Sequence, residues 1–68
     1  MLKDRRVLIE YEIARKTKIC GDMYLAAMRS GEPFTEDEDN LYQFHLEELV
    51  KTKTELEIIN EMIRSGHE

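Results

Sequence analysis

The 68-residue chain has one cysteine, one proline, three glycines and no tryptophan. Each scarcity excludes something. A lone cysteine, Cys20, allows no disulfide within the chain, so no covalent staple holds the fold, which suits a reducing compartment. Paired spacings such as Cys-x-x-Cys or His-x-x-x-His, the usual ligand sets of structural zinc, are missing. The glycines are scattered, so there is no glycine-rich loop to cradle a phosphate. No apolar run approaches the ~18 residues that a spanning helix needs. After Lys3-Asp4-Arg5-Arg6 only three apolar residues follow in a row, Val7 to Ile9, and no Ala-x-Ala site closes them. That is not the pattern of a signal peptide. The expectation is a cytoplasmic protein with no membrane attachment.

What is present is charge laid over a moderate apolar content. Hydrophobic residues make up 41% of the chain and charged residues 37%, too apolar for a disordered acidic tail. A chain this short buries only ~60% of the surface its unfolded form exposes. Small domains without staples therefore lean on regular helix packing or on a partner. The net charge of −5 is unevenly placed: residues 1–31 hold seven Lys/Arg against four Asp/Glu (+3), and residues 32–68 hold three against eleven (−8). A basic half precedes an acidic one, which favours laying the two halves together.

The punctuation is gathered in Ser30-Gly31-Glu32-Pro33-Phe34-Thr35. Gly31 stands where a left-handed C-cap belongs, and Pro33 forbids continuation. Thr35 with Glu38 spells a capping box, and Glu36, Asp37, Glu38 and Asp39 crowd the positive end of the next helix dipole. The reading is all-α: a helix over about 4–30, a turn over 31–35 and a helix over about 36–65, with Gly66 closing it. The helices match in length, at roughly 40–45 Å each for a rise of ~1.5 Å per residue. With a short connection they form an antiparallel hairpin. The segment 1–68 is one domain. Lys18-Ile19-Cys20-Gly21-Asp22 is the one place that offers a kink or a split, and an intact or kinked helix is the favoured reading there.

Heptad spacing gives the seam. Ile9, Ile13, Lys16, Cys20, Met23 and Ala27 recur at steps of three and four, as do Tyr42, His45, Leu49, Thr52, Leu56, Ile59 and Ile63. Run antiparallel, they set Cys20 near His45, Ile13 near Thr52, Ile9 near Leu56 and Leu2 near Ile63. Lys16 is expected to lay its stem over the core and extend its ammonium outward. The first helix has a second apolar line, Val7, Tyr11, Ala14, Leu25 and Met28, on roughly the opposite side. Phe44, Ile58 and Met62 likewise fall off the main stripe of the second. A helix apolar on two sides is normally buried on two sides. Two hairpins joined as a four-helix-bundle homodimer would bury them, and Val7, Tyr11, Ala14, Leu25 and Met28 are the expected interface.

Chemistry is thinly supported. Cys20 and His45 from two copies would offer two sulfurs and two nitrogens to a zinc ion, but a histidine at the core edge beside a small thiol is the simpler reading. His45-x-x-Glu48 runs opposite to the Glu-x-x-His of carboxylate-bridged metal bundles. A Cys–His nucleophile needs a third orienting group and a substrate pocket, which a thin hairpin does not provide. No catalytic residue, metal or cofactor is expected. The layout resembles small bacterial and phage helical hairpins, a likeness of fold alone.

The expected function is a non-enzymatic interaction module: a hairpin dimer that binds and modulates another protein, as an acidic inhibitor or adaptor does. Phe34, Phe44, Asp37, Asp39 and Glu47 are the candidate contacts with that target. The second reading is a nucleic-acid-binding dimer using Arg5, Arg6, Arg15 and Lys18, since phosphate contacts need clustered Lys/Arg. Pairing of the basic residues with Glu47, Glu48, Glu55, Glu57 and Glu61 across the hairpin would remove that footprint.

Overall fold

A computed structural model describes residues 1–66. Two α-helices, α1 (Leu2–Ser30) and α2 (Glu36–Arg64), pack against each other along their length as a hairpin. The rod measures 50 × 17 × 13 Å.

The turn forms as local chemistry dictates. Gly31 takes φ 72°, a left-handed conformation that costs a residue with a Cβ, and its N–H donates to the Ala27 carbonyl. The Ser30 hydroxyl donates to the same carbonyl and accepts the Glu32 N–H. Four residues on, Thr35 caps α2: its Oγ1 accepts the Glu38 N–H at 3.2 Å while the Glu38 carboxylate accepts the Thr35 N–H at 2.9 Å. Both halves of the capping box are present. At its far end, α2 stops at Arg64, with Gly66 following at φ 84°.

One boundary differs from the sequence reading. α1 begins at Leu2, because the Met1 carbonyl accepts the Arg5 N–H and closes the first turn. α1 runs unbroken through Gly21. Asp22 does not cap a new helix there. Its carboxylate instead accepts the Lys18 ammonium one turn back, at 2.9 Å.

The seam follows the heptads. Every residue of both predicted stripes is buried or half-buried. Ile9, Cys20, Leu49 and Ile59 form the buried apolar core, and Thr52 is the buried polar member. The core is one layer thick, and no described side chain is wholly removed from solvent. Two bonds report the register. The predicted alignment sets Arg6 level with Ile59 and Lys16 level with Leu49. Arg6 bonds Asn60, the next residue, and Lys16 bonds Thr52, one turn away. Lys16 does not point outward as expected: its ammonium turns across the seam, because the Thr52 hydroxyl there is the acceptor within reach.

Candidate interaction surfaces

A hairpin one layer thick covers one side of each helix. The outer line of α1 is therefore left open: Val7 is 63% exposed, Tyr11 66%, Leu25 47% and Met28 63%, and Ala14 is exposed with them. Lys18 and Gly21 continue the same steps of three and four between Ala14 and Leu25. The corresponding outer line of α2 is Asn40, Gln43, Glu47, Val50, Thr54, Glu57 and Glu61, all exposed, three of them acidic and none basic. The two backs of the hairpin thus differ in kind, one apolar and one carboxylate-rich.

A second apolar area lies on the flank where the helix ends meet. Ile58 and Met62 are exposed there one turn apart, and Leu2, Arg5 and Glu55 join Ile58, Ile59 and Met62 around an open groove near the free ends, while Phe44 is exposed farther along α2 toward the turn. Leu8, also exposed, stands one turn from Arg5 on α1. The predicted register sets Leu2 near Ile63, and the groove forms where Ile58 and Met62, off the seam, flank that meeting.

The residues expected to meet a target are distributed along α2 and the turn. Asp37, Asp39 and Glu47 are exposed, and Phe44 is exposed with its ring edge against His45 at 5.6 Å. Phe34 is half-buried, its ring 5.2 Å from that of Tyr42, where it forms one wall of an open cleft of about 350 Å³ with Met23, Ala26 and Pro33. Glu38, on the same cleft, is held below the ordinary carboxylate range, first by the Thr35 backbone N–H and then by the Thr35 side chain.

The four basic residues of the nucleic-acid reading do not gather. Successive helical residues turn by roughly 100°, so Arg5 and Arg6 straddle the seam while Lys18 lies on the outer line. Each already has an acidic partner: Arg5 with Glu55 at 3.8 Å, Arg6 with Glu10 at 3.9 Å, Arg15 with Glu12 at 2.8 Å and Lys18 with Asp22 at 2.9 Å. Hydrogen bonding to Glu12 and to Asp22 raises the pKa of Arg15 and of Lys18, respectively, and Glu12 is lowered in return by Arg15. Among these contacts only Arg5–Glu55 crosses between helices. Of the expected cross-hairpin pairs Arg5–Glu55 forms, whereas Arg6, Arg15 and Lys18 take carboxylates on their own helix, because residues three or four apart are already neighbours on a helix surface.

Among the described residues no group of three or more His, Cys, Asp or Glu side chains is placed to hold a metal ion. Cys20 is a free, buried thiol, and His45 is half-buried. Among the same residues no helix is long and apolar enough to cross a membrane. No family model, no curated protein and no solved structure matches the chain.

Proposed function

We propose that this chain is a non-enzymatic interaction module of the cytoplasm, a homodimer of hairpins forming a four-helix assembly that binds another protein and modulates it. One observation carries the reading: the apolar line of α1 stays open after the hairpin has closed its seam, with Val7, Tyr11 and Met28 all more than 60% exposed. Single apolar residues are ordinary on a surface, but two apolar clusters on one helix line, Val7 with Tyr11 and Leu25 with Met28, are a mark of association. Dimerisation through this line leaves the acidic outer side of α2 and the groove of Leu2, Ile58 and Met62 for the target. Carboxylates with an aromatic and aliphatic centre suit a basic, partly apolar surface on that protein.

The test is retrieval of the target with the tagged full chain, before and after nuclease. A protein complex that survives nuclease supports the reading. A complex whose only ligand is nucleic acid, released by nuclease, overturns it.

The excess of Lys/Arg in the first half keeps a second reading, nucleic-acid binding through Arg5, Arg6, Arg15 and Lys18. It requires those side chains to exchange their present carboxylate partners for phosphates. Such exposed pairs are worth only ~0.2–1 kcal/mol each. In this reading, reversal of the four to Glu abolishes binding and affinity falls steeply with salt.

A further inference from the structure

The outer line of α1 reads nearly the same from either end. Val7, Tyr11, Ala14, Lys18, Gly21, Leu25 and Met28 run large, large, small, Lys, small, large, large, at alternating steps of four and three. A surface that is its own mirror in sequence suits one occupant in particular. Across a two-fold axis residue i meets j and j meets i, so the line must complement itself. An unrelated partner imposes no such order.

We infer that a second copy of this chain covers the line, with the two α1 helices packed antiparallel about a two-fold axis beside Thr17 and Lys18 and the two α2 helices on the outside. This rests on the homodimer reading above and adds which helices meet and in which direction. The pairing sets Val7 level with the second copy's Met28, Tyr11 level with its Leu25, and Ala14 level with its Gly21.

Gly21 supplies an independent argument. It lies within an unbroken, exposed stretch of helix, it has no positive φ, and a Cβ added there would meet nothing within 4 Å. The hairpin by itself gives no reason for a residue that costs a helix ~1 kcal/mol relative to Ala. A second helix seated over Ala14 and Gly21 does, because two small residues at one level let backbones approach closely.

Charge points the same way. Antiparallel pairing sets Arg15 against the second copy's Asp22 and brings its Arg29 within a turn of Asp4. Lys18 meets its own copy near the axis, where each ammonium is already held by Asp22 at 2.9 Å. Contact through α2 would instead bring two acidic backs together, with Val50 the one apolar residue on each.

The test uses the full chain in a Cys20→Ala background, as two differently tagged variants, Val7→Cys and Met28→Cys, mixed and oxidised under native conditions. The expected product is the mixed disulfide between position 7 of one copy and position 28 of the other, in excess over both symmetric disulfides. A dimeric mass with symmetric disulfides dominant, or with no cross-link, overturns the antiparallel α1 pairing and leaves the homodimer standing. A monomeric mass for the unsubstituted chain overturns both. If the cysteine variants lose helix, Tyr11→Glu and Val50→Glu read the same surface. Tyr11→Glu is expected to shift the mass to monomer and Val50→Glu to leave the dimer, and the reverse result overturns the pairing.

Discussion

Lys16 and Thr52 meet across the hairpin seam, the Lys16 ammonium donating to Thr52 Oγ1 over 2.7 Å while that hydroxyl donates to the Glu48 carbonyl over 2.8 Å. Thr52 is the buried polar residue of the core, and these two bonds satisfy it. Thr52→Val keeps the shape but removes Lys16's acceptor, and should cost about 1 kcal/mol. Pairing it with Lys16→Met replaces both partners by apolar groups and should recover most of that loss. Urea denaturation of the two single variants and the double variant closes the cycle. Additive losses would show that the bond contributes nothing.

The glycines at 21 and 31 should respond in opposite senses to the same change. Gly31 is left-handed at the end of α1, so Gly31→Ala should destabilise the hairpin by about 1 kcal/mol. Gly21 is helical with open space around it, so Gly21→Ala should stabilise the isolated hairpin by about 1 kcal/mol. The same Gly21→Ala should weaken association. Melting at low concentration, where the hairpin stands alone, and molar mass at high concentration separate the two effects.

Much of the fold is legible because its causes are local. Gly31, Pro33 and the Thr35–Glu38 box mark the turn within eight residues, and the heptad residues from Ile9 to Ile63 are all buried or half-buried where their spacing puts them. Continuity at Gly21 was open to two readings, since glycine both ends helices and is tolerated inside them. The side-chain partner of Asp22 decides it, and a sequence does not show whether that carboxylate faces Lys18 or caps a helix. Cross-hairpin ion pairing was over-read for a related reason: Glu12 and Asp22 lie one turn from Arg15 and Lys18 and reach them first. The exposed line on α1 was visible as a pattern. The groove around Leu2 and Met62 was not, because the predicted register brings Leu2 to Ile63 on the seam and does not show which flanking side chains stay open beside it.

Acid should weaken the start of α2. The Glu38 carboxyl is held below its ordinary value of 4.5, first by the Thr35 backbone N–H and then by the Thr35 side chain. A carboxyl depressed in the folded state contributes stability that is fully present above its unfolded pKa and is lost as pH falls through the folded value. Thermal melts of the wild type and Glu38→Gln should therefore differ at neutral pH and converge as pH falls below the ordinary carboxylate range. A gap that persists in acid would assign the stabilisation to something other than the ionised capping box. Thr35→Ala, which removes the hydroxyl half of the box, should cost about 1 kcal/mol at neutral pH.

The nucleic-acid reading predicts a response to salt that the protein-binding reading does not. If Arg5, Arg6, Arg15 and Lys18 contact phosphates, affinity for RNA or DNA should fall steeply as salt rises. Because each of these residues is already paired with a carboxylate, the expectation is weak binding of nucleic acid at physiological salt. Fluorescence anisotropy with short duplex and single-stranded probes measures it, and tight binding that disappears with salt would reverse the order of the two readings.

The central claim is that the open line on α1 is covered by a second copy. Light scattering behind a sizing column, over a wide range of concentrations, tests it most directly. The account predicts a stable mass near twice the 8.1 kDa of one chain. A mass that stays at one chain throughout would contradict it and would leave Val7, Tyr11, Leu25 and Met28 as a surface for a different protein.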